Sequence, residues 1–172
     1  MNDYEIRAAT IADVDALTAF GARTFFESFG ADNTPEDMAK HLESAWRTDL
    51  QRAEILDPSF DTLIAVSNGA LAGFAMLRDK EEPPGVAATR PVELWRFYVD
   101  KAWQGRGLAR ALMYAVDERA RARGGRELWL GVWERNARAV AFYRKCGFEV
   151  VGRKIFVVGS DPQTDHVMMR ML

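Results

Sequence analysis

The chain has 172 residues, and its 23 Lys and Arg against 25 Asp and Glu leave a formal charge of −2. A slightly acidic chain has no electrostatic footprint for nucleic acid or an anionic membrane, and no apolar run approaches the length of a membrane span. The length suits one domain over residues 1–172, and 10 Phe with 5 Trp give it apolar bulk for a core. The lone Cys146 excludes an internal disulfide, and the polar start MNDYEIRAAT lacks a secretory signal's apolar run, so a cytoplasmic monomer or homodimer is expected.

Residues 4–7 read as a short edge strand. Residues 9–29 carry Ile11, Val14, Leu17, Phe20 and Phe25 at helical spacing, behind Thr10 as N-cap and Asp13 as its partner. Thr34-Pro35-Glu36-Asp37 starts a second helix, with Pro at its first position and acids in its first turn. A third helix covers 48–56 and stops before Pro58. The period then changes. Strands are expected at 62–67 and 70–78, joined by the hairpin pair Asn68-Gly69, and after a loop over 79–91 a further strand at 92–100. A long helix over 107–123 ends at Gly124-Gly125, a strand follows at 127–133, and a helix over 136–145 is stopped by Gly147. Residues 148–158 and 165–172 close the chain as a hairpin. The unit 92–133 is a strand-helix-strand crossover, so its two strands should be parallel while the other strands pair as antiparallel hairpins. The expected fold class is α/β: a mixed, mostly antiparallel sheet with one parallel pair and helices on both faces.

The most informative segment is Trp103-Gln104-Gly105-Arg106-Gly107-Leu108-Ala109-Arg110, between a strand and a helix. Glycines let the backbone turn tightly and approach a ligand, and the free amides at the helix start form an anion site suited to a pyrophosphate. Arg106 and Arg110 add positive charge. The segment is not a P-loop, which needs Lys and Ser or Thr after its second glycine. Nor is it a dinucleotide fingerprint, which needs a third glycine and a later acid. An isolated Gly-x-Gly can also be a helix start that binds nothing.

Gln104-x-x-Gly107-x-Ala109 resembles the acetyl-CoA signature of the GCN5-related N-acetyltransferases, the GNAT family. The strand ELWRFYV and the segment WLGVWERNARAVAFYRKCGF resemble the same family in order and spacing. Within it, NTPEDMAKHLESAW, LGVWERNARAVAFYRKCGF and GSDPQTDHVMM are similar to bacterial spermidine/spermine N-acetyltransferases of the PaiA type. Trp95 departs from that narrower pattern, since polyamine-type relatives often carry an acid there.

The resemblance implies a GNAT fold whose parallel pair splays at the cofactor site. It implies acetyl-CoA as cosubstrate and a small-molecule amine as acceptor, a polyamine in particular; with no Ser-His or Cys-His arrangement in competition, direct transfer without an acyl-enzyme is the simpler reading. The pantetheine arm would pair against Phe97, Tyr98 and Val99, and the pyrophosphate would sit on the amides of Gln104, Gly105, Arg106, Gly107, Leu108 and Ala109, beside Arg110. The Val99 amide would hydrogen-bond the thioester oxygen as charge develops. Asn136 would contact the cofactor, although an ordinary N-cap explains it equally. Tyr143, two helical turns on, would protonate the departing thiolate; a core aromatic is the plain alternative.

An attacking amine must lose a proton, and Glu93 matches the position of the general base in histone-type members. On a regularly alternating strand it would share a face with Trp95, Phe97 and Val99, and apolar neighbours would raise its pKa. It could instead be a structural carboxylate. The resemblance makes the N-terminal helices the acceptor wall, with Glu27, Glu43 and Trp46 on them; exposed helix acids are usually solvated, and Trp46 reads as readily as core. Asp165 in the tail is equally open. Cys146 reads as a small buried hydrophobe, and His41 and His166 have no ligand at metal-binding spacing, so no metal is expected. The rival readings are transfer to a protein N-terminus, a lysine or an aminoglycoside, and an acyl-CoA-binding sensor without turnover.

Overall fold

Seven strands form one sheet in the order β1-β2-β3-β4-β5-β7-β6 in the computed structural model, which describes residues 3–79 and 82–172. The strands are β1 (Glu5–Ala8), β2 (Phe60–Ser67), β3 (Ala70–Arg78), β4 (Pro91–Val99), β5 (Glu127–Trp133), β6 (Glu149–Val158) and β7 (Asp161–Met171). The helices are α1 (Val14–Phe29), α2 (Pro35–Ala45), α3 (Thr48–Leu56), α4 (Leu108–Ala122) and α5 (Ala137–Lys145). Only β4 and β5 run parallel; all other neighbours are antiparallel. The expected mixed α/β sheet is therefore present. Lys80 and Glu81, inside the loop expected over 79–91, lie outside the described residues, as do Met1 and Asn2. No helix among the described residues is long and apolar enough to cross a membrane.

Local chemistry sets the element ends. Asp13 accepts from the Thr10 amide and pairs through both oxygens with Arg7 at 2.8 Å, tying the end of β1 to the start of the α1 segment. Thr34 caps α2 by accepting from the Asp37 amide at 3.1 Å. Asp37 then accepts from the Ser160 amide and hydroxyl at 2.7 and 2.6 Å, which fastens the β6–β7 turn onto α2. The last strand begins at Asp161, earlier than its sequence suggests. Pro162 is tolerated there because it pairs with Val157 of β6 only; β5 reaches β7 no further than Asp165.

The sheet has a core on each face. One holds Leu112, Met113 and Val116 of α4 with Val140 and Tyr143 of α5, over Leu77, Leu94, Leu128 and Leu130. The other holds Leu17, Phe20 and Phe25 of α1 with Met38 of α2 and Trp46, over Ile64 and Phe74. Cys146 packs against the first core but is only half-buried.

One departure from regular alternation matters. The β3–β4 register shifts between Met76 and Leu77, which pair with Arg96 and Leu94 respectively, so Trp95 is an extra residue bulged out of β4. The bulge reverses the alternation. Leu94, Phe97 and Val99 face α4 and α5, whereas Glu93, Arg96 and Tyr98 face α1 to α3.

The core on the α1–α3 face depends on a close approach. The Trp46 ring lies on Gly21 of α1, and a Cβ there would sit 1.9 Å from ring atom Cζ3. Gly21→Ala gains about 1 kcal/mol of helix propensity but overpacks a filled site, which costs about 1–3 kcal/mol. Guanidinium denaturation should show a net loss of up to about 2 kcal/mol. A more stable variant would mean that Trp46 moves aside freely.

Candidate active site

β4 and β5 pair only from Pro91↔Glu127 to Glu93↔Trp129. Beyond that the strands part, while β4 stays on β3 as far as Val99 and β5 stays on β7 as far as Trp133. The Trp95 bulge bends β4 at the point of separation. Phe97 stacks on Phe142 of α5 with centroids 5.7 Å apart and meets Tyr143 edge-on at 6.3 Å, so aromatic rings line the α5 side of the gap. The opening is a cavity of ≈ 680 Å³, lined along β4 by the stretch from Leu94 to Val99. Phe97, Tyr98 and Val99 thus present one bare strand edge to it, as an extended ligand needs.

At one end of the gap lies the turn before α4, where Gln104, Gly105 and Ala109 line the cavity. Gly105 and Gly107 have φ of +77° and +84°, a left-handed backbone that other residues adopt only under strain. A Cβ at either would meet nothing within 4 Å, so packing does not demand these glycines; backbone geometry does. The first turn of α4 leaves the amides of Leu108, Ala109 and Arg110 without intrahelical acceptors, while the Leu108 side chain is fully buried beneath them. Arg106 and Arg110 are exposed at the lip, with Arg106 beside the Trp103 ring at 5.6 Å. The Gln104 side-chain amide donates to the Val99 carbonyl at 3.4 Å and links the turn to the strand end. Backbone shape, bare donors and local charge all suit a pyrophosphate at this end.

From α5 come two cavity-lining residues. Asn136 is the N-cap, accepting from the Ala139 amide at 3.1 Å, and also faces the cavity. Tyr143 is 8 % exposed, and burial holds its pKa well above the usual phenol range. Its hydroxyl therefore keeps its proton across the physiological range.

Glu93 is placed differently from its expectation. It is 1 % exposed, and it pairs with Arg78 Nε at 2.5 Å and with Lys154 Nζ at 3.6 Å. It does not share a face with Phe97 and Val99, because the Trp95 bulge turns it to the α1–α3 side; its parallel partner Trp129 faces the same way. Cations, not apolar groups, surround the carboxylate. Trp95 lies under the Arg78 guanidinium at 3.6 Å and belongs to the same cluster. Of the residues expected on the acceptor wall, Glu27 and Trp46 line the cavity, while Glu43 is exposed and outside it.

Asp165 is the residue whose position the sequence left open. It lines the cavity at 7 % exposure, and burial lifts its pKa to about 6, against the pull of Lys154. Its visibility depends on the β5–β7–β6 register, which sets it opposite both Trp133 and Lys154.

A sheet split beside a cavity, with bare amides and left-handed glycines at one end and a buried phenol beside the gap, fits an acyl-group transferase. The model of the acetyltransferase (GNAT) family matches residues 22–148, and the chain belongs to this family. It is 33 % identical over 172 residues to an uncharacterized N-acetyltransferase from the pepI 3' region of Lactobacillus delbrueckii subsp. lactis, covering 100 % of this chain and 99 % of that one. The fold is similar to the PaiA N-acetyltransferase of Thermoplasma acidophilum in complex with coenzyme A, with a TM-score of 0.82 and 20 % identity over 100 % of both chains. It is also similar to yncA of Salmonella typhimurium with acetyl-CoA, with a TM-score of 0.75 and 23 % identity, covering 99 % of this chain and 95 % of that one. As an N-acetyltransferase of this family, the chain uses acetyl-CoA as its cosubstrate.

Gly107→Asp should raise the acetyl-CoA dissociation constant by about 100-fold or more, since it adds negative charge and a strained backbone at the anion end. Calorimetric titration measures this, and unchanged affinity would remove the pyrophosphate from the turn.

Proposed function

We propose that the protein transfers acetyl directly from acetyl-CoA to a primary amine of a small molecule, with a polyamine such as spermidine or spermine as the acceptor class. The observation that carries this reading is the continuity of one cavity. It runs from Gln104 and Gly105 past Tyr143 to a wall of Phe25, Phe29, His41, Trp46, Trp133 and Phe156, and includes the carboxylates Glu27 and Asp165. Aromatic faces attract ammonium groups, and carboxylates complement them. The likeness of the α2 and tail segments to PaiA-type enzymes supports the polyamine reading.

In this reading the pantetheine arm pairs with the bare edge at Phe97, Tyr98 and Val99. The Val99 amide steadies the thioester oxygen, and Asn136 contacts the arm. The pyrophosphate rests on the turn from Gln104 to Arg110. Tyr143 gives its proton to the leaving thiolate. The setting is the cytoplasm.

Release of CoA thiol against a panel of amines tests the acceptor. Turnover with spermidine and spermine but not with an aminoglycoside or a lysine peptide is expected. Turnover with the peptide or the aminoglycoside alone would replace the polyamine, and acetyl-CoA binding without turnover on any amine would favour a sensor. Tyr143→Phe should lower kcat by about 100-fold while acetyl-CoA affinity holds. Normal turnover would show that the hydroxyl is not the acid.

A further inference from the structure

We infer that Asp165 is the carboxylate that receives the acceptor ammonium and takes its proton, and that Lys154 and Glu93 behind it are positioning residues; the inference rests on the acetyl-transfer reading above.

The two carboxylates on this face of the sheet differ in what they already hold. Glu93 is outside the cavity lining and clamped between Arg78 and Lys154. Asp165 lines the cavity, and among the described residues no donor reaches it; Lys154 acts on it only through space. The other charges of the cavity wall are largely matched. Arg96 of β4 is bound by Glu54 at 2.6 Å, and Glu27 of α1 by Arg23 at 3.1 Å, with Lys101 at 3.9 Å. Asp165 is thus the lining acid with a vacancy for a cation. Trp133 and Phe156 line the same space and offer faces to an ammonium group.

Room for this carboxylate is built into β5. A Cβ on Gly131 would come within 3.1 Å of Asp165 Oδ2 and 2.3 Å of Lys154 Cε, so a bare strand position seats both side chains. The Lys154 ammonium is held over the Trp129 and Trp95 rings at 5.3 and 5.7 Å and against Glu93. Arg78, Glu93 and Lys154 form a chain of alternating charge that ends one residue short of Asp165. Glu93 engages the lysine, which keeps it from closing on Asp165.

The groups that act on Asp165 from other elements are Lys154 on β6 and Tyr98 on β4, while Arg96 of β4, His41 of α2 and Arg138 of α5 carry the remaining titratable and charged groups facing the same cavity, besides Glu27 and Lys101. Burial keeps the Asp165 proton affinity near neutrality, which suits a base. The ammonium gives one proton to Asp165, which passes it to solvent. The freed nitrogen lone pair forms the C–N bond at the thioester carbon. The C–S bond then breaks, Tyr143 protonates the thiolate, and the remaining excess proton on nitrogen restores the phenol. One ammonium and one acetyl thioester yield one amide, one thiol and one released proton.

The pH dependence of kcat/KM for the amine tests the assignment. Wild type should show an acid limb with its midpoint near 6. Asp165→Asn should lose that limb and fall by about 100-fold near pH 7, with acetyl-CoA affinity retained. Its residual rate should climb tenfold per pH unit as free amine becomes available. Lys154→Met should move the limb upward, because a cation that favours the ionised carboxylate is gone. Glu93→Gln should keep the limb and move it downward, because it frees Lys154 to turn toward Asp165. An Asp165→Asn protein with wild-type rate and limb overturns the inference, as does a Lys154→Met protein whose limb does not move. If Asp165→Asn fails to fold, the Lys154→Met profile decides alone. Wild type that releases no thiol with any amine overturns the acetyl-transfer reading and this inference with it; active wild type beside an unaffected Asp165→Asn overturns this inference only.

Discussion

The structure turns on one incomplete ladder. β4 and β5 are parallel neighbours that hold each other over a short stretch and then separate. Buried backbone polar groups without partners each cost about 1–3 kcal/mol, so a sheet does not open in its middle without cause. Here each strand keeps its other neighbour, β3 or β7, and the bulge at Trp95 bends β4 away. The bare edge faces a cavity instead of apolar packing. Everything assigned to chemistry is arranged around that opening.

The gap also joins the two faces of the sheet. Tyr143 and the glycine turn before α4 belong to the α4–α5 side, and Asp165 with the aromatic wall belongs to the α1–α3 side. In the proposed reading, a closed sheet would keep donor and acceptor apart by its own thickness. The parted strands let them meet while each keeps its own wall. The latch between Asp37 and Ser160 holds the tail hairpin, and thus β7 and Asp165, against α2.

Most of the fold was legible in the sequence because its signals are local. Thr10 with Asp13, Thr34 before Pro35, Asn68-Gly69 and Gly107 each act within a few residues of where they stand. The parallel pair followed from the crossover length, and the anion turn from its glycines. The Trp95 bulge was not legible, because ELWRFYV reads as unbroken alternation and only the pairing with β3 reveals the extra residue. That one slip carried Glu93 to the wrong face and into the wrong surroundings. The status of Asp165 was hidden for a related reason. Whether an acid is paired or bare depends on Lys154 and Gly131, which reach it only through the registers of three strands.

In the proposed reading, a donor bound along the free edge of β4 is gripped through its pantetheine and phosphates, the parts that the reaction leaves untouched. Such contacts are equal for charged and spent donor, so they lower the concentration needed to fill the site without hastening bond exchange. The emptied thiol must then break the same ladder to depart. In that reading CoA and acetyl-CoA compete for the edge on nearly equal terms, and the acetyl group itself adds little to the grip.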